Sequence, residues 1–201
     1  IESAEVLLEK IKKDKEKLIK EGKIKKQKAL PPITEEDIPF GIPDGWVWCR
    51  LEEITNINPR NYIPDTTKVS FIPMRLIEDG YISSYSYEER YWREVKKGFT
   101  HFQENDLLVS KITPCFENRK SVIAKGLLSK HGAGTTELHV VRVLNKNYID
   151  MRYLLWLVKT EKFIQDGVAT FSGTAGQQRV GKTFIENYLV PLPPLSEQNY
   201  I

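Results

Sequence analysis

The chain lacks the residues on which several classes of protein depend. Its two cysteines, Cys49 and Cys115, are 66 positions apart and provide neither a disulfide framework nor the spacing of zinc ligands. Its three histidines also show no spacing typical of a metal site. No apolar run approaches the roughly 18 residues needed to span a bilayer. These absences predict a cytoplasmic protein with reduced thiols and no membrane partner.

Catalytic motifs are also missing. No glycine-rich loop follows a strand as a dinucleotide or phosphate site requires, and "LPPI" and "LPPL" lack the polar and aromatic ends of an adenine-methyltransferase tetrad. One nuclease-like pattern is present, since Pro64-Asp65 precedes Glu94-Val95-Lys96, and two acids with a lysine could hold Mg²⁺. A chain with 28% charged residues produces this pattern by chance, so a Mg²⁺-dependent nuclease is the least favoured function.

Basic charge is clustered rather than abundant. Residues 1–28 hold ten lysines and six acids, whereas residues 29–201 hold 20 basic and 21 acidic residues. Within that neutral body, residues 111–146 carry seven basic residues and two acids. Basic charge on one face is typical of DNA-binding proteins, although a solvated surface with segregated charge gives the same pattern.

Residues 4–20 predict a helix of the coiled-coil type that ends before Gly22. Apolar residues recur at spacings of three and four along one seam. The seam residues are Ala4, Leu7, Ile11 and Leu18. Because so narrow a stripe cannot bury itself, we expect it to pack on another long helix of the same subunit, beginning near Ser196. In this chain the seam is then expected to be exposed or covered by another molecule.

The remaining sequence predicts an α+β fold that is rich in mixed or antiparallel β-structure. Proline-rich residues 29–45 are expected to form a connector. Strands are predicted at 46–51, at several places within 56–100, and at 106–112, 121–128 and 138–144. One helix is predicted over 150–166, capped by Asp150 and followed by Gly167. A short helical turn is expected to lead into an extended segment over 184–190.

Six pieces of the chain, in order, resemble the specificity subunit of type I restriction-modification systems. They are "LLEKI" with "EGKIKKQK", "IPFGIPDGWVWCRLEEI", "LLVSKITPCFENRKSVIA", "GTTELHVVR", "SGTAGQQRV" and "NYLVPLPPLSEQ". The resemblance covers nearly the whole chain and implies a conserved helix at 1–28, the connector at 29–45, a target recognition domain at 46–195 and the start of a second helix at 196–201. One departure is Arg119, which stands where the family often has glycine.

The resemblance implies a non-catalytic subunit that reads one half of a split target in double-stranded DNA. Its helices would set the distance between half-sites and dock methyltransferase subunits, which restriction subunits then join. S-adenosylmethionine, Mg²⁺ and ATP would be bound by those partners and not by this chain. Two alternatives stay open, namely a helical interaction module that binds no DNA and the Mg²⁺-dependent nuclease.

The loop "SGTAGQQRV", residues 172–180, combines small residues with two glutamines and an arginine. Glycine lets a backbone approach phosphate closely, glutamine suits an adenine edge, and arginine suits guanine or phosphate. The resemblance implies that this motif recurs in members with different targets, which favours gripping the DNA backbone over reading bases; the alternative is a structural loop. The predicted positioning residues are Lys111, Thr113, Lys120, Ser172, Thr174, Gln177, Gln178, Arg179 and Lys182.

Base reading is expected within residues 56–105, the part that resembles the family least. Polar and aromatic side chains in that part are the candidates, and the sequence does not rank them. They are Asn58, Arg60, Asn61, Tyr62, Lys68, Arg75, Tyr85, Tyr87, Arg90 and Arg93.

We predict that specificity is portable within residues 56–105. Exchanging them for the matching part of a relative with a different target should switch the methylated half-site of the assembled enzyme. About three or four side chains suffice for readout, and each good bidentate pair contributes roughly 1–3 kcal/mol of discrimination. The measurement is sequencing of modified adenines in cells carrying the chimera. A folded, active chimera that still marks the original half-site would move the reading residues to 111–120 or 172–182.

Overall fold

The computed structural model describes residues 2–201 as a mixture of short strands and helices. The strands are β1 Val47–Arg50, β2 Thr55–Ile57, β3 Lys68–Ile72, β4 Glu88–Tyr91, β5 Thr100–Gln103, β6 Leu107–Ser110, β7 Ser121–Ile123, β8 His131–Gly134, β9 Leu138–Val143 and β10 Leu189–Leu192. The α-helices are α1 Ala4–Lys20, α2 Leu51–Ile54, α3 Trp92–Val95, α4 Met151–Lys159, α5 Glu161–Val168, α6 Lys182–Asn187 and α7 Leu195–Gln198. The predicted α+β class is confirmed.

Two four-stranded sheets form the body of the domain. The central sheet has the order β2-β9-β6-β7 and is antiparallel throughout. The outer sheet has the order β4-β3-β8-β5 and contains one parallel pair, β3 with β8. Strands β1 and β10 form a separate antiparallel ribbon.

The central sheet separates two hydrophobic cores. Successive side chains of a strand point to opposite faces. Leu107 and Val109 of β6 therefore enter the main core, while Leu108 enters a second core shared with the outer sheet through Phe102. Because both faces of β6 are covered, its sequence is a continuous apolar run rather than an alternating one.

Helix α1 begins and ends where its sequence predicts. The N–H of Lys23 donates to the carbonyl of Leu18, and the N–H of Gly22 donates to that of Ile19. These two bonds form a Schellman motif, whose C′ residue must adopt a left-handed conformation that glycine favours. Gly22 has φ 70°, which explains why the helix stops there.

The predicted exposure of the α1 seam is wrong. Ala4, Leu7 and Ile11 are each at most 2% exposed and belong to the main core together with α2 and β1. The N–H of Ala4 also donates to the carbonyl of Gly45, at 2.8 Å, which ties the helix to the start of β1. The first part of the seam finds its apolar partner in its own domain, whereas Leu18 lies half-buried outside the core clusters.

The predicted helix at 150–166 is two helices, α4 and α5. Asp150 caps α4 as expected, accepting the N–H of Arg152 at 2.9 Å. Thr160 has extended backbone and accepts the N–H of Phe163 at 3.2 Å, so it caps a second helix and interrupts the first. Gly167 lies inside α5 rather than beyond it. A Cβ atom at that position would lie 2.3 Å from the ring of Phe116, so close packing requires glycine.

Strand β8 was not predicted, because its sequence "HGAG" has low β-propensity. A Cβ atom at Gly132 would lie 2.7 Å from the carbonyl oxygen of Ser70 and 2.2 Å from the ring of Phe102. The missing side chain therefore lets Phe102 pack directly against the strand. The other predicted strands, and the helical turn leading into an extended segment at the C-terminal end, are present.

Cys49 and Cys115 are both free thiols. Among residues 2–201, the structure has no helix whose length and apolar character would suit a membrane span. The same residues include no group of three histidine, cysteine or acidic side chains that could hold a metal ion.

We predict that the α1 seam stabilises the whole domain. Leu7→Ala or Ile11→Ala should lower the free energy of unfolding by about 2–5 kcal/mol, because each removes a fully buried side chain from the main core. Leu18→Ala, which changes the same seam outside that core, should cost about 1 kcal/mol or less. Urea unfolding followed by tryptophan fluorescence measures all three. Equal, small losses would mean that α1 does not pack on the domain in solution.

Candidate nucleic-acid interface

Two groups of predicted positioning residues, far apart in sequence, meet in the structure. Ser172 and Arg179 exchange two backbone hydrogen bonds, of 3.1 and 2.9 Å, which close the loop. The N–H of Thr113 donates to the carbonyl of Gln178, and the N–H of Val180 donates to that of Lys111, both at 2.9 Å. We call the unit formed by residues 111–113, 135–137 and 172–180 the loop junction.

Arg179 holds the loop junction together by binding Glu137. Its Nε and Nη2 donate to the two carboxylate oxygens of Glu137, each at 2.8 Å, and its Nη1 donates to the carbonyl of Gln177 at 2.6 Å. The Arg179 guanidinium keeps the pKa of Glu137 below its ordinary value. A partly exposed pair of this kind contributes about 1 kcal/mol or less to stability. Its main effect is therefore to orient the loop against the β8–β9 turn.

The outer part of the loop, residues 172–177, is exposed. Gly173 and Gly176 have φ 115° and 77°, a backbone conformation that glycine favours. The N–H groups of residues 173–176 make no backbone hydrogen bond, so they are free to donate to a phosphate oxygen. Lys182 follows the loop at the start of α6, where it is 49% exposed and pairs with Glu186 at 3.1 Å. Lys111 follows β6, and its carbonyl accepts the N–H of Val180. This surface can bind an anion through backbone donors, with these two lysines close to the loop in sequence or by a backbone hydrogen bond.

Two other predicted positioning residues have partners inside the chain. Nζ of Lys120 donates to the carbonyl of Ile77 at 2.7 Å, and the hydroxyl of Thr113 donates to Glu117 at 2.6 Å. Their side chains hold neighbouring turns. These contacts fit a supporting role better than the predicted contact with phosphate.

Arg119, which stands where the family often has glycine, adopts a backbone conformation that glycine favours. It has φ 58°, in the left-handed region where glycine is least strained. Its Nε donates to the carbonyl of Lys159 at 2.9 Å, so its side chain closes the end of α4. Lys159 is itself buried and donates to the carbonyls of Gly80 and Arg119, at 2.5 and 2.9 Å. Burial lowers the pKa of Lys159 to about 8.

A buried histidine supports the loop from beneath. Nε2 of His139 donates to the carbonyl of Val180 at 2.9 Å, and its Nδ1 accepts from the amide of Asn58 at 3.3 Å. The amide oxygen of Asn58 in turn accepts the N–H of Val140 at 2.8 Å. Burial lowers the pKa of His139 to about 4, so the ring is neutral at pH 7. Asn58 therefore has interior partners rather than a side chain free for a base.

Asn61 is likewise turned inwards. It is 8% exposed, and its amide donates to the carbonyl of Phe102 at 2.7 Å while accepting from Arg142 at 3.2 Å. Arg142 also binds Asp106, with Nη2 and Oδ2 2.7 Å apart. These contacts leave Asn61 no free group for a base edge, so it fits a supporting role better than the predicted reading role.

Four basic candidates lie on the β3–β4 side of the outer sheet. Lys68 pairs with Glu89, at 2.7 Å, and Arg75 and Arg90 both pair with Glu88. The fourth, Arg93, lies over the ring of Tyr91, 4.5 Å from its centroid. Two aromatic candidates also lie near this side: the hydroxyl of Tyr85 accepts the N–H of Lys125 at 2.9 Å, and Tyr87 is exposed.

Two further candidates lie at the opposite edge of the outer sheet, near β5. The guanidinium of Arg60 donates to the carbonyls of Lys96 and Phe99, both at 3.1 Å. Tyr62 is 92% exposed. Neither side chain is paired with a carboxylate.

The nuclease pattern assembles only in part. Nζ of Lys96 lies 2.7 Å from Oδ2 of Asp65, so these two charges neutralise each other. Glu94 instead accepts the N–H of Tyr91, at 2.7 Å, at the start of α3. The two carboxylates therefore have separate structural partners, which does not favour a shared Mg²⁺ site.

A cavity of about 950 Å³ lies among the connector, α4 and β10, and Ser172 of the loop junction forms part of its lining. Its walls include Trp46, Trp48, Trp156 and Phe184. Such an aromatic surface suits neither phosphate nor the polar edges of bases, so we do not assign the DNA contact to it.

The model of the type I restriction modification DNA specificity domain matches residues 43–201 of this chain. The chain belongs to this family. Among curated relatives, the EcoAI specificity subunit of Escherichia coli is 47% identical over the full chain, and the EcoEI specificity subunit is 45% identical over 98% of it. The chain spans only 34% and 33% of the length of those two relatives.

Solved structures share the fold of this specificity domain. The HsdS subunit of Thermoanaerobacter tengcongensis matches 81% of the chain with a TM-score of 0.62 and 19% identity, over 41% of its own length. A chain from a structure concerned with complex assembly and conformational transition of the type I R-M system matches 98% with a TM-score of 0.55 and 18% identity, over 44% of its length.

We predict that His139 makes the stability of the domain depend on pH. Its folded pKa, about 4, lies below the ordinary value, so its stabilising effect is present above pH 6.5 and is lost as pH falls toward 4. Between pH 7 and pH 5 this loss is about 2 kcal/mol. Urea unfolding at both pH values, for wild type and His139→Gln, measures it. The variant should lose about that much less, and equal losses would contradict the assignment.

Proposed function

We propose that this chain is a target recognition domain that reads one half of a bipartite sequence in double-stranded DNA. The observation that carries the proposal is the loop junction. Backbone hydrogen bonds join residues 111–113 to the loop at 172–180, and the exposed side of the loop presents free N–H groups near Lys111 and Lys182. Membership of the specificity-domain family supports the same function.

In this proposal the loop junction grips the DNA backbone and sets the register of the domain. The N–H groups of residues 173–176, with Thr174 and Gln177, donate to phosphate oxygens, which fixes position without carrying sequence information. Lys111 and Lys182 add basic charge near the loop. Arg179 keeps the loop in place through Glu137, and its role is to orient the donors. Base reading then belongs to side chains beyond the junction.

By likeness to the specificity subunits of type I restriction enzymes, we propose that the whole protein works in the cytoplasm with methyltransferase and restriction subunits. Those partners would carry out methylation and cleavage, and would bind S-adenosylmethionine, Mg²⁺ and ATP. This chain would supply only the choice of sequence. The alternative of a purely helical interaction module is less favoured, because α1 buries Ala4, Leu7 and Ile11 in its own domain and offers a partner little apolar surface.

We predict that Lys182 contributes sequence-independent affinity. Lys182→Gln removes one cation near a phosphate, so the slope of log affinity against log salt concentration should shrink by about one unit. The motif selected from random duplexes should stay the same. Fluorescence anisotropy with a labelled random duplex at several salt concentrations measures the slope.

Lys13→Gln is the matched control, since Lys13 is exposed on α1, outside the loop junction. It should leave the salt slope unchanged. An equal change for both variants would mean that only net charge matters and that the loop junction is not the contact. A wild-type chain that binds no duplex at low salt would contradict the proposed function itself.

A further inference from the structure

A concave surface lies at the β5 edge of the outer sheet, between residues 60–65 and the segment that joins α3 to β5. Its volume is about 660 Å³. We call it the outer cleft. Its lining includes Arg60, Tyr62, Asp65, Trp92, Lys97 and His101.

The balance of charge differs between the two edges of the outer sheet. The β3–β4 side holds Lys68, Arg75 and Arg90, and each of them is paired with Glu88 or Glu89. At the outer cleft only Lys96 is paired, with Asp65. Lys97 has no carboxylate within ion-pair distance among residues 2–201, and Arg60 binds carbonyls. The fourth cation of the β3–β4 side, Arg93, lies over the ring of Tyr91, so each cation of that side has a carboxylate or a ring as partner. Lys97 has neither partner among residues 2–201.

The side chain of Tyr62 lies at the outer cleft and is exposed to solvent instead of packed against the domain. It is 92% exposed, which is unusual for a large aromatic side chain, since tyrosine is normally at least partly buried. A tyrosine offers a hydroxyl that can donate and accept, together with an aromatic face. Tyr62 and Lys97 both line the outer cleft, and together they provide two different ways to contact a base edge.

The backbone that carries Tyr62 is held rigidly by a buried polar network. The N–H of Asn61 donates to Nδ1 of His101 at 3.1 Å, and Nε2 of His101 donates to the carbonyl of Lys96 at 3.0 Å. Arg142 and Asp106 extend the network behind Asn61. Reading a base edge requires side chains mounted on a support that does not move, and the network supplies one next to both Tyr62 and Lys97.

A series of contacts through β5 and β8 connects the outer cleft to the loop junction. Arg60 binds the carbonyl of Phe99, and the next residue, Thr100, pairs with Gly134 of β8. Thr135 follows, and its hydroxyl accepts the N–H of Glu137 at 3.2 Å. The chain from Gly134 to Glu137 is three residues long and spans at most roughly 10 Å. The distance from the outer cleft to the loop junction is therefore compatible with one turn of B-DNA, roughly 34 Å.

We propose that the outer cleft is the base-reading point of the domain, with Tyr62 and Lys97 as its specificity-determining residues and the major-groove edges of DNA bases as the ligand. Lysine suits the O6 and N7 acceptors of guanine, and the tyrosine hydroxyl can pair with either a donor or an acceptor. Arg60 joins the two sides of the cleft through its hydrogen bonds to the carbonyls of Lys96 and Phe99. This inference rests on the proposed function, and it distinguishes one edge of the outer sheet from the other.

The test is selection from a pool of random duplexes, followed by sequencing, with wild type and two double variants. Tyr62→Ala with Lys97→Gln changes the outer cleft. Tyr91→Ala with Lys68→Gln is the matched control on the other edge, where Nζ of Lys68 lies 5.9 Å from the centroid of the Tyr91 ring. Both variants remove one ring and one charge. Because the two cleft side chains are exposed, thermal unfolding should show the cleft variant to be as stable as wild type.

We expect the cleft variant to lose base preference at one or more positions of the selected motif, by roughly 5- to 150-fold at each. The control should keep the whole motif. If wild type selects a motif and the cleft variant selects the same one, the inference is overturned and the proposed function stands. Loss of preference in the control alone would place reading at the β3–β4 edge and would also overturn it. A wild type that selects no motif would overturn the proposed function, and this inference with it.

Discussion

The position of the loop at 172–180 depends on the backbone hydrogen bonds that its last residues make with Lys111 and Thr113. The loop has little regular structure and few apolar side chains, so it cannot anchor itself by burial. Its exposed N–H groups are useful only if their positions are fixed. The paired backbone and the ion pair of Arg179 with Glu137 fix those positions. No side chain of the exposed segment, residues 172–177, is needed for this.

Two buried histidines hold the polar interior beneath the candidate interface through hydrogen bonds at both ring nitrogens. His139 connects Asn58 to the carbonyl of Val180, and His101 connects Asn61 to the carbonyl of Lys96. Burial lowers the pKa of both histidines, so each ring stays neutral and can donate at one nitrogen while accepting at the other. A buried network of this kind fixes one arrangement of the chain. The backbone of the loop and of the outer cleft, which these histidines contact, is therefore held in one position.

The packing of α1 changes how the N-terminal helix relates to the domain. Its apolar residues up to Ile11 complete the main core, and Asp14, the polar residue that interrupts the seam, accepts a hydrogen bond of 2.9 Å from Asn145. Polar contacts thus continue the attachment of the helix beyond its apolar part. A rigid attachment fixes the orientation of the helix relative to the candidate interface.

The sequence by itself determined most of the strands, the ends of α1, the start of α4 and the family. Heptad spacing, the Gly22 stop, the Asp150 cap and the apolar strands are local signals, and local signals survive without knowledge of the fold. Strand β8 could not be predicted from the sequence, because its glycines are explained only by the close approach of Phe102. The division of α4 from α5 depends on Thr160, which caps α5. In the sequence this threonine cannot be distinguished from a residue inside one continuous helix.

Only the tertiary structure decided which candidate residues are available. Asn58 and Asn61 are as polar in sequence as Arg60 and Tyr62, yet their amides are bound in the interior. Arg179 has its carboxylate partner 42 positions away in sequence, and no spacing rule connects the two. Side-chain exposure and pairing arise from contacts between distant segments, whereas a single sequence records only residue types and local periods. Residue chemistry could therefore be predicted from the sequence, and residue role required the fold.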